Sequence, residues 1–216
     1  VKLDGGRLRA TSGRVELGGL AEAGTVGLNV DNNNLSLSYP MGVQRADVFL
    51  SNRAIVTAPD SAGSIQVQGR HVTLIDNSEI RIINAFGAEP GGSLSVTASD
   101  SVELLGGSRL LTVTESDGDA GNLRIETGRL IVQDGAQVSA STGSQGRGGT
   151  LSVTAKEFIV DGSASGLFVE TRNTGNAGNL KIETGQLIVR NGAEISASTF
   201  PESTGKGGSI TVKTGE

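Results

Sequence analysis

The sequence predicts an all-β solenoid, a parallel β-helix with one three-sided coil of about 29 residues per repeat. Three observations predict it. The stretch from Gly121 to Thr142, GNLRIETGRLIVQDGAQVSAST, returns from Gly178 to Thr199 as GNLKIETGQLIVRNGAEISAST, identical at 16 of 22 positions. A weaker copy of its opening, GGTLSV, lies between the two, so the period is about half their separation; the anchors Ile65, Leu94, Leu123, Leu151, Leu180 and Ile210 are 29, 29, 28, 29 and 30 residues apart. Within each repeat, apolar residues alternate with polar ones over short runs, which is strand periodicity. No window carries a helical stripe with caps.

Composition agrees with short strands and tight turns. The 216 residues include 33 glycines and only four prolines, with 3% aromatics, and Val, Ile, Ser and Thr are abundant. A propeller blade would need ~40 residues or more per repeat. One domain is expected over residues 1–216, read as a segment of a longer chain because Val1 is not an initiator Met. The absence of Cys excludes disulfides, Cys-ligated zinc and a thiol nucleophile. A net charge of −5 with scattered cations argues against nucleic acid as a partner. No apolar run approaches the ~20 residues of a membrane span, and Val1 to Ala10 lacks the apolar core of a signal peptide.

Taken in order, Val15/Leu17 and Val26/Leu28/Val30 fit coil strands, whereas residues 31–47, centred on DNNNLSLSYPMGVQRA, read as an insertion or reshaped coil before Val48/Leu50. From Ile65 onward three inward columns can be named. The first is Leu94/Val96, Leu123/Ile125, Leu151/Val153 and Leu180/Ile182; the second is Val102/Leu104, Leu130/Val132, Phe158/Val160 and Leu187/Val189. The third is Leu110 or Leu111, Val138/Ala140, Leu167/Val169 and Ile195/Ala197. Thr127-Gly128, Asp134-Gly135 and the loop Gly143 to Gly149 supply the three bends.

GGRLRATSGRVELGG, GVQRADVFLSNRAIV and the recurrent AGNLxIETGxLIVxxGAxISAST resemble the β-helical passenger region of filamentous-haemagglutinin-like exoproteins of two-partner secretion systems. The resemblance covers nearly all of the chain. It implies a right-handed parallel β-helix within a large protein of Gram-negative bacteria, exported through a dedicated outer-membrane β-barrel transporter to the cell surface. It further implies a role in adhesion, aggregation or biofilm formation. The amino-terminal secretion domain of that family is not recognisable here, and the family has no fixed set of binding residues to carry over.

A β-helix of this kind could serve catalysis, metal binding or surface recognition. A polysaccharide lyase or hydrolase on this scaffold would need Asp76, Asp117, Glu126, Glu157 and Glu183 to converge on one groove. His71 has no Ser or carboxylate beside it in a recognisable catalytic motif. No calcium repeat of the GGxGxDxUx type recurs, and the Gly-rich loops precede no helix that could hold a phosphate. No enzyme activity, metal or cofactor is therefore expected. Surface recognition remains: Ser139, Ser141, Ser196 and Ser198 would form an outward hydroxyl face, with Asn122 and Asn179 at equivalent strand starts. Tyr39 and Met41 in the insertion offer a second contact for cell-surface glycans or proteins.

Overall fold

The computed structural model describes residues 1–31, 34–40, 42–60, 63–85 and 89–215. These are strands, turns and bends without a helix, stacked as a β-solenoid. A nine-stranded sheet runs β1 (Lys2–Asp4), β6 (Val48–Ser51), β8 (Ser64–Leu74), β10 (Leu94–Leu104), β12 (Leu123–Gln133), β14 (Leu151–Asp161), β16 (Asn179–Arg190), β18 (Ser209–Thr214), with β3 (Arg14–Leu17) also on β8. A seven-stranded sheet runs β17 (Glu194–Ser196), β15 (Gly166–Phe168), β13 (Gln137–Thr142), β11 (Arg109–Thr114), β9 (Glu79–Asn84), β7 (Ile55–Thr57), β2 (Arg7–Arg9). All pairings in both sheets are parallel, so each strand lies ~4.8 Å from its counterpart one coil away.

The register follows the repeat. Leu94 pairs with Leu123, Leu123 with Leu151, Leu151 with Leu180, and Leu180 with Ile210. Alternation then sends Leu94/Val96, Leu123/Ile125, Leu151/Val153 and Leu180/Ile182 into the core, all but fully buried. In the second column Val102/Leu104, Leu130/Val132 and Phe158/Val160 are buried too, whereas Leu187 is half-buried and Val189 is 43% exposed because no further second run stacks on them. The third column resolves to Leu110; Leu111 faces outward. After its first apolar residues the third run turns polar inside, with Thr112, Thr114, Thr142 and Thr171 buried. Thr112 donates to Gly121 O (2.9 Å) and Thr114 to Asp119 O (3.2 Å), which ties down the loop that closes their coil.

Three expectations are corrected. Thr127-Gly128 is not a turn between strands. The first and second runs form one continuous strand through Gly128, which keeps one register with β14 on both sides of that glycine and faces a bulge at Ser99 and Asp100 of β10. The insertion starts at residue 18 rather than 31, since β3 ends at Leu17 and β6 begins at Val48; it leaves from the corner between a first and a second run. Val26, Leu28 and Val30 are not in the coil: β4 (Gly27–Asp31) pairs antiparallel with β5 (Asn34–Ser38), and Leu28, Val30 and Leu35 are 59%, 69% and 51% exposed. An isolated strand with period two looks the same in a hairpin and in a coil, which is why the sequence misplaces them.

The glycine that opens each repeat has a steric cause. A Cβ on Gly121 would land on the carbonyl oxygen of Gly92, and one on Gly149, Gly178 or Gly208 on that of the glycine one coil earlier. Only hydrogen fits there. Gly121→Ala is expected to lower stability measurably in urea melts, whereas Gly143→Ala, whose Cβ would meet nothing nearer than 3.7 Å, is expected to melt like the parent. Equal midpoints for the two would contradict this packing. Leu130→Ala should cost about 2 to 5 kcal/mol and Leu130→Asp should abolish the cooperative transition, because the site is fully buried.

Candidate functional site

The third runs stack with their odd-numbered or even-numbered positions outward according to register, and those outward residues make rows along the solenoid axis. One row is Thr57, Arg81, Leu111, Ser139, Phe168 and Ser196. A parallel row contains Glu79, Arg109 and Gln137. A shallow groove of about 360 Å³ opens on this face, with Leu111, Val113 and Phe168 as its apolar lining and Arg109, Glu115, Glu170 and Arg172 among its charged ones. Phe168 is half-buried, its ring lying against Gly166.

Ser139 and Ser141 lie in this groove, but the hydroxyl face expected from sequence is not formed. Ser139 Oγ and Ser141 Oγ are 2.7 Å apart and satisfy one another, as do Ser196 Oγ and Ser198 Oγ at 2.8 Å. The intervening coil inserts Phe168 and Glu170 between the two pairs. Ser141 Oγ also accepts the Glu170 backbone N–H (3.1 Å). Asn122 and Asn179 serve the stack rather than the surface, their Oδ1 atoms accepting from Thr150 N (2.9 Å) and Ser209 Oγ (2.6 Å) of the next coil.

Tyr39 is held against the coil wall. Its hydroxyl packs on Gly18, and the Arg45 guanidinium covers its ring at 5.0 Å from the centroid. Burial raises its pKa, opposed by the Arg45 charge. This aromatic pins the hairpin excursion to the solenoid, together with Glu16, whose carboxylate accepts the Leu37 N–H. Met41 lies outside the described residues.

The carboxylates singled out from sequence do not converge. Asp76 sits in a turn at positive φ; Asp117 and Asp119 in a coil-closing loop accept from Ser144 Oγ (3.0 Å) and Arg147 N (2.8 Å) of the next coil. Glu126 and Glu183 face outward on first runs, beside Arg124 and Lys213, and Glu157 pairs with Arg129 (2.9 Å) on a second run. Among the described residues no cluster of three or more His, Cys, Asp or Glu is arranged to hold a metal.

Sequence reasoning missed one constellation. His71 pairs in register with Ser101, thirty residues on, and its Nδ1 lies 2.9 Å from Ser101 Oγ while Nε2 is 3.6 Å from Asp100. The repeat period, applied to polar positions, would have found it. The trio is poorly set for nucleophilic attack: Ser101 is buried and its hydroxyl donates to Glu103 (3.2 Å), and Asp100 is too distant to orient the imidazole by a hydrogen bond. Beside it Arg70 makes two 3.0 Å bonds to Asp47, holding that carboxyl below the ordinary carboxylate range and fastening the foot of the excursion.

Glu170 is a half-buried carboxyl in the wall of the groove. Burial raises its pKa above the ordinary value, and Glu194 adds to this, while the hydroxyls of Ser196 and Ser198 and the Arg172 charge pull the other way. No family model, curated protein or solved structure matches the chain.

A raised folded pKa means that the native state binds the Glu170 proton more tightly than the unfolded chain. Stability from this group is therefore full below the unfolded value of about 4.3 and lost as pH rises through the folded value. Glu170→Gln should match the parent at pH 4 and become progressively more stable than it towards pH 7 in urea melts. A difference that does not vary with pH would contradict the burial of this carboxyl.

Proposed function

We propose that this chain is a structural and adhesive segment of a large exported bacterial exoprotein of the two-partner secretion type. It is a stiff β-solenoid rod, passed through an outer-membrane β-barrel transporter and displayed at the cell surface. The outer face of its third runs contacts glycans or proteins of other cells or matrix. The single observation that carries the recognition part is the groove around Phe168. It combines an apolar ring, aliphatic Leu111 and Val113, and the charged ends of Arg109, Glu170 and Arg172, the mixture that a sugar's apolar face and hydroxyls require. The stacked columns support the rod, because a coil that shares its core with both neighbours resists bending.

A second reading, a glycan-active enzyme on the same scaffold, is favoured by one feature. Glu115 and Glu170 line the same groove, and burial raises the pKa of the latter, as a general acid requires.

Co-sedimentation with insoluble polysaccharides and intact cells, with assay of new reducing or unsaturated ends, separates the readings. Retention without new ends is expected, and Phe168→Ala should weaken it at least five-fold while leaving the melt of the parent intact. New ends lost in Glu170→Gln would establish the enzyme instead. Absence of both signals would leave a spacer.

A further inference from the structure

The same outer face carries a second hollow nearer the start of the chain, of about 270 Å³, whose chemistry differs from that of the Phe168 groove. It is lined by Arg7, Arg9 and Arg81, with Thr57, Asp60 and Ile83. Register explains the clustering. Arg9 pairs with Thr57 and Thr57 with Arg81, so two guanidinium groups share one row two coils apart, and Arg7 stands on the same short strand as Arg9. Three cations thus meet in a chain whose net charge is −5.

Their partners leave them underused. Arg7 and Arg9 make no ion pair among the described residues; Arg9 Nε donates to Thr11 Oγ1 (3.2 Å) only. Arg81 gives one nitrogen to Glu79 (2.7 Å), which also lies 3.9 Å from Arg109, while Arg81 Nε is buried without any hydrogen-bond partner. A buried unpaired guanidinium N–H is costly unless a ligand or water satisfies it. Even with Asp60 in its wall and Glu79 beside Arg81 set against the three arginines, the hollow keeps a surplus of one positive charge.

We infer that this arginine hollow is an anion subsite that takes a carboxylate of an extended acidic polysaccharide, a uronate polymer laid along the solenoid axis. The inference rests on the recognition reading above. Guanidinium forks match planar carboxylates in two-point contact. Along this row from Arg9 to Phe168 there are five coil steps, through Thr57, Arg81, Leu111 and Ser139, or ~24 Å at ~4.8 Å per step. A ligand that uses both hollows must therefore be a polymer, and short fragments lose the gain of holding two sites at once.

The test is binding of the full chain to oligogalacturonates of increasing length, their methyl esters, a neutral galactan and dextran sulfate, at 50 and 200 mM salt. The acid form should bind at least ten-fold tighter than its methyl ester. That preference should be weaker at 200 mM salt and should grow sharply once the oligomer spans both hollows. Arg7→Gln with Arg9→Gln should erase the preference; both side chains are exposed, so the melt should not change. Binding of the neutral galactan by this double variant should persist and still depend on Phe168. An undiminished preference in the double variant, or equal binding of acid and ester, overturns the subsite and leaves the recognition reading standing. Dextran sulfate binding as tightly as the uronate overturns carboxylate selection. Failure of every glycan, the galactan included, overturns both.

Discussion

Successive coils meet backbone on backbone, too close for a side chain to intervene. Where each coil begins its first run, a glycine sits directly over the carbonyl of the glycine one coil earlier, from Gly63 through Gly92, Gly121, Gly149 and Gly178 to Gly208. A second series, Gly118, Gly146, Gly175 and Gly205, does the same in the loop that closes the coil. These approaches leave room for no side chain. They hold successive coils in one register, and that register places Leu on Leu, Thr on Thr and, outside, each surface residue beside its equivalent one coil away.

From this constraint the distribution of chemistry follows. Inward positions on the first two runs are aliphatic columns whose burial contributes ~1.5 to 3 kcal/mol per residue. Inward positions late in the third run are mostly threonines, and in the coil of β11 the hydroxyls of Thr112 and Thr114 satisfy carbonyls of the closing loop. Outward positions are free to vary, and on the third runs they vary most. The coil of β15 breaks the repeat by placing Phe168 and Glu170 where its neighbours have serines, and nearer the start of the chain Arg9 and Arg81 stand in the same row on either side of Thr57. Recognition is thus proposed where the sequence departs from its own pattern.

That distinction also explains what was legible in advance. The coil length, the first column and most of the second were readable because identical residues recur at a fixed period and burial demands it. The third column was readable in Val138/Ala140 and Leu167/Val169, all buried, but in the coil of Leu110 only to its first residue, since Thr112 and Thr114 are interior yet polar. Leu28 and Val30 misled because a hairpin and a coil strand share one periodicity. The serines alternate with the interior residues as the period requires, but their mutual hydrogen bonds, the burial of Ser196 and the intervening Phe168 depend on which coil lies between, and that needs the register. His71 and Ser101 were separable from background only by applying the period to polar residues.

Hydroxyl-radical footprinting of the chain with and without a retained polysaccharide tests the central claim most directly, because it reports which face is covered whatever the ligand is. Leu111, Val113 and Phe168 should lose reactivity, while the comparably placed outward residues of the second runs, Phe49, Ile131 and Ile159, keep theirs. Protection of Ile131 and Ile159 with Phe168 unchanged would contradict the account.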